Sequence, residues 1–140
     1  MKDLYNNLEA VALLDPIAVS TTQTVTDIDL QGFNSCILLI HCGLDASMSA
    51  SHKIVFVLSD SADGITYAAV EDDDMLGVSD ITSGTILSID NVNTEDNTLS
   101  KFGYVGGKRY LQLVATVTGT TDPPVSIVLI KGHPNVSPVD

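Results

Sequence analysis

The sequence has 140 residues, of which 44% are apolar and 17% are charged. This balance is too apolar for a disordered chain, and a chain of this length forms one domain that can bury a core without disulfides or metals. Eighteen acidic residues against six basic ones leave a formal charge of -12, which repels nucleic acid phosphates and anionic lipid surfaces. Composition therefore predicts a folded protein whose partner is neither nucleic acid nor a membrane.

Two apolar stretches test the chain for a targeting or membrane segment. Residues 8–19 are interrupted by Glu9 and Pro16, so they cannot form the apolar region of a secretory signal. The longest uninterrupted apolar run, residues 36–40, is far shorter than the roughly 20 residues that span a bilayer. We therefore expect synthesis and folding in the cytosol.

The first segment, residues 1–16, is the one place where a helix competes with extended chain. Leu4, Leu8 and Val11 recur at helical spacing, and Pro16 would end a helix near Leu14. We expect either a short helix or an exposed N-terminal arm. An arm could serve assembly, although a frayed terminus is the commoner outcome.

From residue 17 to residue 131 the pattern is strand followed by turn. Residues 110–118 alternate between two faces, as a strand with one face on a core requires. Residues 35–42 are apolar on both faces until His41, which predicts a central strand covered on both sides. Residues 125–131 are also apolar on both faces, which predicts an interior or interface position. About eight such strands predict an all-β fold, a β-sandwich of the jelly-roll type. Residues 132–140 hold two prolines, so we expect an extended C-terminal tail.

Glycines mark two turns. Residues 59–64 end in Gly64 and form an Asp/Ser/Gly connector, which is typical of a hairpin turn with its glycine in the left-handed position. Asp60 and Asp63 in this connector leave calcium binding open as an alternative, but the EF-hand spacing is absent. Gly106 and Gly107 predict a tight turn in which at least one residue has a positive φ.

Three residues that follow the second turn are candidates for an interface. Lys108 and Arg109 enter the next strand together with Tyr110, in a chain with only six basic residues. We expect one of the two cations to pair with a carboxylate across the sandwich or across a subunit interface. The alternative is an exposed pair that merely keeps the turn soluble.

The sharpest charge run is the sequence from Glu71 through Asp72, Asp73 and Asp74. Four adjacent carboxylates repel one another, so this segment should be exposed to solvent. It is either a solvated loop or a site that attracts Ca²⁺, Mg²⁺ or a basic partner surface.

The residues that could carry chemistry form no recognisable catalytic or metal site. Cys36 and Cys42 would lie roughly 20 Å apart on one strand, too far for a disulfide, and share its buried face, which favours free thiols. The three histidines are scattered, and neither a Cys-x-x-Cys pair nor a Gly-x-Ser-x-Gly elbow occurs. We expect no enzymatic activity, no metal and no cofactor.

Several segments together carry a family resemblance. They are FVLSDSADGITY at residues 56–67, GYVGGKRY at residues 103–110, a strand ending in Thr118-Gly119, and a last strand closing on Gly132-His133-Pro134. Over most of the chain they resemble small virion structural proteins of tailed bacteriophages.

The resemblance implies a head decoration or cement protein on the capsid surface of the virion, made in the host cytoplasm. Such a protein would form an oligomer, with a trimer favoured by analogy, and would bind the major capsid protein. The alternative is a tail or baseplate sandwich that binds host glycan or another tail protein. Sugar platforms use exposed aromatic rings, and the absence of Trp therefore favours the first reading.

Overall fold

The computed structural model describes residues 3–43, 45–90 and 98–136, and strands dominate these residues. Two single-turn 3₁₀ helices, Tyr5–Asn7 and Asp72–Asp74, are the helical elements among them. The strands are β1 (Leu8–Ala18), β2 (Gln23–Asp29), β3 (Phe33–Cys42), β4 (Lys53–Ser61), β5 (Ala68–Ala69), β6 (Met75–Leu76), β7 (Thr85–Ile89), β8 (Thr98–Tyr104), β9 (Tyr110–Thr118) and β10 (Pro124–Pro134).

The strands form two antiparallel sheets. One sheet has the order β1-β10-β3-β8-β6, and we call it the first sheet. The second sheet has the order β2-β9-β4, and both β5 and β7 pair with the far side of β4. The first strand thus pairs with the last, the second pairs with the last but one, and the chain is rolled up between them. This nesting is that of a jelly roll, and the predicted β-sandwich is confirmed.

The core lies between the two sheets because each central strand sends alternate side chains inward. In β4 the inward residues are Ile54, Phe56 and Leu58, and all three are almost fully buried. The other large side chains with nearly no exposed surface are Ile40, Ile89, Leu111, Leu113, Ile127 and Leu129. Cys36 and Cys42 are buried free thiols, as predicted, and burial raises the pKa of Cys36 to about 11.

Neither the short helix nor the exposed arm expected for residues 1–16 describes the whole segment, because among its described residues only Tyr5–Asn7 form a 3₁₀ turn and most of the rest belongs to β1. That strand pairs with β10 from Leu8 opposite Gly132 to Ala18 opposite Pro124, with two register shifts on the way. Its side chains Val11, Leu13 and Leu14 pack against the core. Pro16 is tolerated because the outer side of an edge strand needs no N–H donor. Long-range pairing has overridden the helical spacing.

The C-terminal tail begins later than predicted. Strand β10 continues past residue 131 and ends at Pro134, which lies opposite Phe33. Pro134 is the last residue of the strand, so its missing N–H interrupts no further ladder. Residues 137–140 of the expected tail lie outside the described residues.

Strand β3 is central, as predicted, but only one of its faces is covered. Cys36, Leu38 and Ile40 point into the core and are buried. Ile37 and His41 point to the other side and are exposed, Ile37 to 38%. The predicted coverage of both faces of β3 is therefore wrong within a single chain. The interface alternative, which was made for residues 125–131, stays a prediction.

Candidate functional site at one end of the sandwich

Four of the candidate residues lie around one groove at the end of the sandwich. The groove lies between the β2–β3 turn and the loop that joins β8 to β9, and its volume is about 460 Å³. Its lining includes Gln31, Gly106, Gly107, Lys108 and Arg109. The structure thus brings the second glycine turn and the basic pair to one place.

A buried hydrogen bond joins the two sheets beneath this groove. The Tyr104 hydroxyl of β8 donates to Asp60 Oδ2 of β4 at 2.7 Å, and Asp60 is only 7% exposed. The same hydroxyl accepts the backbone N–H of Lys108 at 3.1 Å. Burial first, and then the bond to Asp60, raise the pKa of Tyr104. Tyr104 therefore stays neutral and holds the loop and the sheets together.

The turn glycines do not have the backbone conformation that was predicted. Neither Gly106 nor Gly107 has a positive φ. A Cβ on Gly106 would lie 2.5 Å from Cζ and Oη of Tyr104, whereas one on Gly107 would meet nothing within 4 Å. Gly106 is needed because the loop passes directly over the Tyr104 ring. Gly64 does lie in the left-handed region that its hairpin turn predicted, with φ 72°.

Arg109 is engaged within its own chain. Its Nε and Nη2 donate to the two carboxylate oxygens of Asp29 at 2.8 and 2.7 Å, and Nη2 also donates to Gln31. The guanidinium lies 4.7 Å from the centre of the Tyr110 ring. Hydrogen bonds from Arg109 hold the pKa of Asp29 at about 2. The partner carboxylate is on the adjacent strand β2, neither across the sandwich nor in another subunit.

Solvent exposure weakens the Arg109–Asp29 ion pair and leaves the neighbouring Lys108 accessible. The side chains of Arg109 and Asp29 are 42% and 40% exposed, so solvent screens the ion pair. Lys108 is exposed, and no carboxylate among the described residues forms a salt bridge with it. Of the three candidate interface residues, Lys108 is the one whose side-chain charge is open to a partner.

The acidic run is a capped turn. Asp72 Oδ1 accepts the backbone N–H of Ile81 at 2.7 Å, and Asp74 Oδ2 accepts that of Glu71 at 3.1 Å. Two of the three aspartates in the 3₁₀ helix therefore accept backbone hydrogen bonds, and the third is Asp73. Nowhere in the described ranges do three His, Cys, Asp or Glu side chains gather as metal ligands would.

The carboxylates of the Gly64 connector also serve separate structural purposes. Asp63 Oδ1 accepts the N–H groups of Thr66 and Ile65 at 2.9 Å each, and it accepts the Ser61 hydroxyl at 2.8 Å. These hydrogen bonds, led by that from Thr66, lower the pKa of Asp63 to about 2. Asp60 instead faces Tyr104. The pair shares no cation position, and the turn interpretation accounts for both residues.

Sequence reasoning missed a second polar cluster at the loops beyond β3 and β9. Asp45 Oδ2 accepts the backbone N–H of Asp122 at 2.7 Å and the Thr121 hydroxyl, while Oδ1 accepts from Ser47. Burial raises the pKa of Asp45, but these hydrogen bonds together outweigh it and hold the pKa at about 2. Asp45 and Thr121 are 76 positions apart in sequence, and no local spacing could have predicted their contact.

The comparisons with known proteins leave the chain without a family. No protein-family model matches it, and no curated protein matches it. Among solved structures it is similar, at 11% identity, to a chain described by the words "Bacillus endospore appendages form a novel family of disulfide-linked pili". The likeness covers 96% of this chain and 98% of that one with a TM-score of 0.48, which is too low to carry an argument.

The described part of the chain contains no helix of the length and apolarity that a membrane crossing takes.

Proposed function

We propose that this chain is a structural protein of a tailed bacteriophage virion, where it decorates the capsid surface by binding the major capsid protein. The observation that carries the proposal is the resemblance of residues 56–67 and 103–110 to small virion proteins. In the fold these segments are β4 with its Asp63-capped turn and the loop over Tyr104. They are the parts that fix the two sheets relative to each other.

The topology supports the proposal by analogy. Jelly rolls are found in viral capsid domains, and also in lectins and cupins, so the fold alone names no activity. The polar contacts of this chain favour a structural use. Asp29, Asp45, Asp60, Asp63 and Asp72 each accept hydrogen bonds that hold a turn, a loop or the two sheets.

The alternative of a glycan-binding tail protein draws less support from the tyrosines. Tyr104 is buried, and Tyr110 lies beneath the Arg109 guanidinium. Tyr67 uses its hydroxyl to donate to Asp27 at 3.2 Å, which leaves Tyr5 as the most exposed ring. A sugar platform usually stacks its ligand on open aromatic faces. Decoration of the head remains the better proposal.

As a decoration protein the chain would act as a homo-oligomer on the virion, after synthesis in the host cytoplasm. The resemblance favours a trimer by analogy with cement proteins. No enzymatic step and no cofactor enter the proposal, since binding alone would stabilise the contacts between capsid subunits.

The test is to locate the protein in the particle. Virions of the phage whose genome carries this sequence are purified, heads are separated from tails, and peptides of the chain are quantified in each fraction. We expect them in the head fraction, where brief protease treatment of intact heads removes them. Recovery with the tails, or absence from the virion, would contradict the proposal.

A further inference from the structure

The outer face of the first sheet carries mainly apolar side chains, and one row of them extends over all five strands. Cross-strand partners share a face, so the pairing defines the rows of side chains that point away from the core. The rows are Ala10, Ile130, Ile37, Gly103 and Leu76; then Ala12, Val128, Leu39 and Lys101; then Ser126, His41 and Leu99. We call these three rows the apolar face.

The second sheet presents a different surface to solvent. Its outward rows run through Thr24, Val114, Val57 and Thr85, through Gln112 and Ser59, and through Thr116, Val55 and Ser88. Antiparallel sheets with one solvated face normally alternate apolar-in and polar-out, and the second sheet largely follows that pattern. The first sheet does not, because β3 and β10 are apolar on both faces. Strands with that pattern are usually covered on both sides.

The apolar face carries no acidic residue. The chain carries eighteen Asp and Glu residues, yet none of the residues in the three rows is acidic. Lys101 in the second row and His41 in the third are the ionisable groups there. Two copies with a charge of -12 repel each other, and a contact through this face brings no carboxylates of the three rows together. The outward rows of the second sheet named above also lack carboxylates, so it is apolarity that distinguishes this face.

The exposure of individual side chains marks where a contact would form. Leu76 and Leu99 are 60% and 65% exposed, and Ile37 at the centre is partly open. At one end the face continues into a groove of about 770 Å³ whose lining is mixed, with Leu4, Leu8 and Pro134 beside the polar Asp3 and Asn34. Five strands about 4.8 Å apart and rows about 7 Å apart give a footprint of roughly 400 Å². Exposed apolar patches of this size are often functional.

We propose that the apolar face packs against the same face of a second copy of this chain, sheet on sheet. A flat, nearly uncharged surface is self-complementary, and face-to-face packing about a two-fold axis keeps the acidic surfaces of both copies pointing outward. The footprint is about half the roughly 800 Å² per partner of a standard interface, so the dimer should dissociate at micromolar concentrations. The inference goes beyond the proposed function: it predicts a two-fold pair where the resemblance to cement proteins favours a trimer, and it uses no property of a capsid.

The test measures the mass of the purified full-length chain by sedimentation equilibrium from about 1 to 200 μM. We expect a shift toward twice the 14.8 kDa of one chain as concentration rises. Ile37→Glu introduces a carboxylate into the contact twice by symmetry, so it should raise the dissociation constant at least about 100-fold. Leu76→Glu, at the edge of the face, tests the same contact if Ile37→Glu fails to fold.

The matched control is Ile65→Glu, which adds the same charge at an exposed residue in the connector after β4. It should leave the association unchanged. A wild-type chain that stays monomeric throughout the range would overturn the proposal. So would a trimer, or a dimer that Ile37→Glu and Leu76→Glu leave intact while circular dichroism shows the fold preserved. Because the measurement uses no virions, its failure is independent of whether the protein is found on heads.

Discussion

The buried hydrogen bond from Tyr104 to Asp60 ties the two sheets together beneath the groove. Tyr104→Phe removes the hydroxyl that donates to Asp60 and accepts from Lys108. Because Asp60 is buried, an unpaired oxygen there should lower the free energy of unfolding by about 1 to 3 kcal/mol, measured by chemical denaturation. The control is Tyr67→Phe, which removes an exposed bond to Asp27 and should change stability little. Equal effects of the two variants would show that the buried bond has no special weight.

A second prediction at this scale separates the two turn glycines. Gly106→Ala places a methyl group on the Tyr104 ring, which cannot move without breaking its bond to Asp60, so the expected loss is about 1 to 3 kcal/mol. Gly107→Ala meets open space and should be close to neutral. Thermal melts of the two variants decide the matter. A more damaging change at Gly107 would contradict the arrangement of the loop.

The Arg109–Asp29 pair predicts a dependence on pH. Arg109 lowers the pKa of Asp29 from its ordinary 3.8 to about 2, so the pair stabilises the fold above pH 4 and loses that effect as pH falls through 2. Both side chains are about 40% exposed, so Arg109→Ala should lower the melting temperature at pH 7 by no more than about 4 °C.

The pH series supplies the check on that pair. The difference in melting temperature between wild type and Arg109→Ala should shrink between pH 4 and pH 2. Lys108→Ala serves as the control, since no salt bridge of Lys108 is found among the described residues. A difference that persists unchanged at pH 2 would mean that Arg109 acts through packing on Tyr110 instead of through charge.

At the scale of elements, β1 is part of the sandwich and not a free arm. Val11, Leu13 and Leu14 pack against the core, and Glu9 lies 2.8 Å from the mostly buried Lys131. Full burial of an aliphatic side chain contributes about 1.5 to 3 kcal/mol, so deleting residues 1–18 removes up to that amount for each of these three partly buried side chains. The deletion also leaves Lys131 without Glu9, and together the losses approach the whole stability of a domain.

We therefore expect that truncation to give an insoluble or unfolded protein, as judged by circular dichroism. Deleting only residues 1–7, which removes the first 3₁₀ helix, should preserve the fold and most of the melting temperature. A folded, cooperatively melting chain that starts at residue 19 would show that β1 is dispensable.

The elements that could be read from the sequence were those whose pattern is local. The alternation in residues 110–118 predicted β9, and the turn chemistry of Asp63 and Gly64 predicted the connector after β4. The segment that forms β1 looked helical because its pairing partner, β10, lies more than 100 residues later. The need for Gly106 was likewise misassigned to backbone conformation, since only the folded chain places Tyr104 beneath it.

For the whole molecule, the two sheets divide the surface into unlike halves. The second sheet shows threonines, serines and glutamine to solvent, whereas the first shows the apolar face. The two-sided apolarity of β3 and β10 was visible in the sequence as a sign of an interior or interface position. That β3 and β10 share one sheet and one uncovered face could not be predicted, because it depends on the pairing of residues about 90 positions apart.

The central claim is that this chain is a capsid decoration protein, and binding to isolated heads tests it most directly. Purified chain is added to empty heads of the phage that encodes it, prepared without their own copy, and the mass of the heads is measured by mass photometry. The account predicts a saturable gain in mass that corresponds to a fixed number of copies per head. Heads whose mass is unchanged at saturating protein concentrations would contradict it.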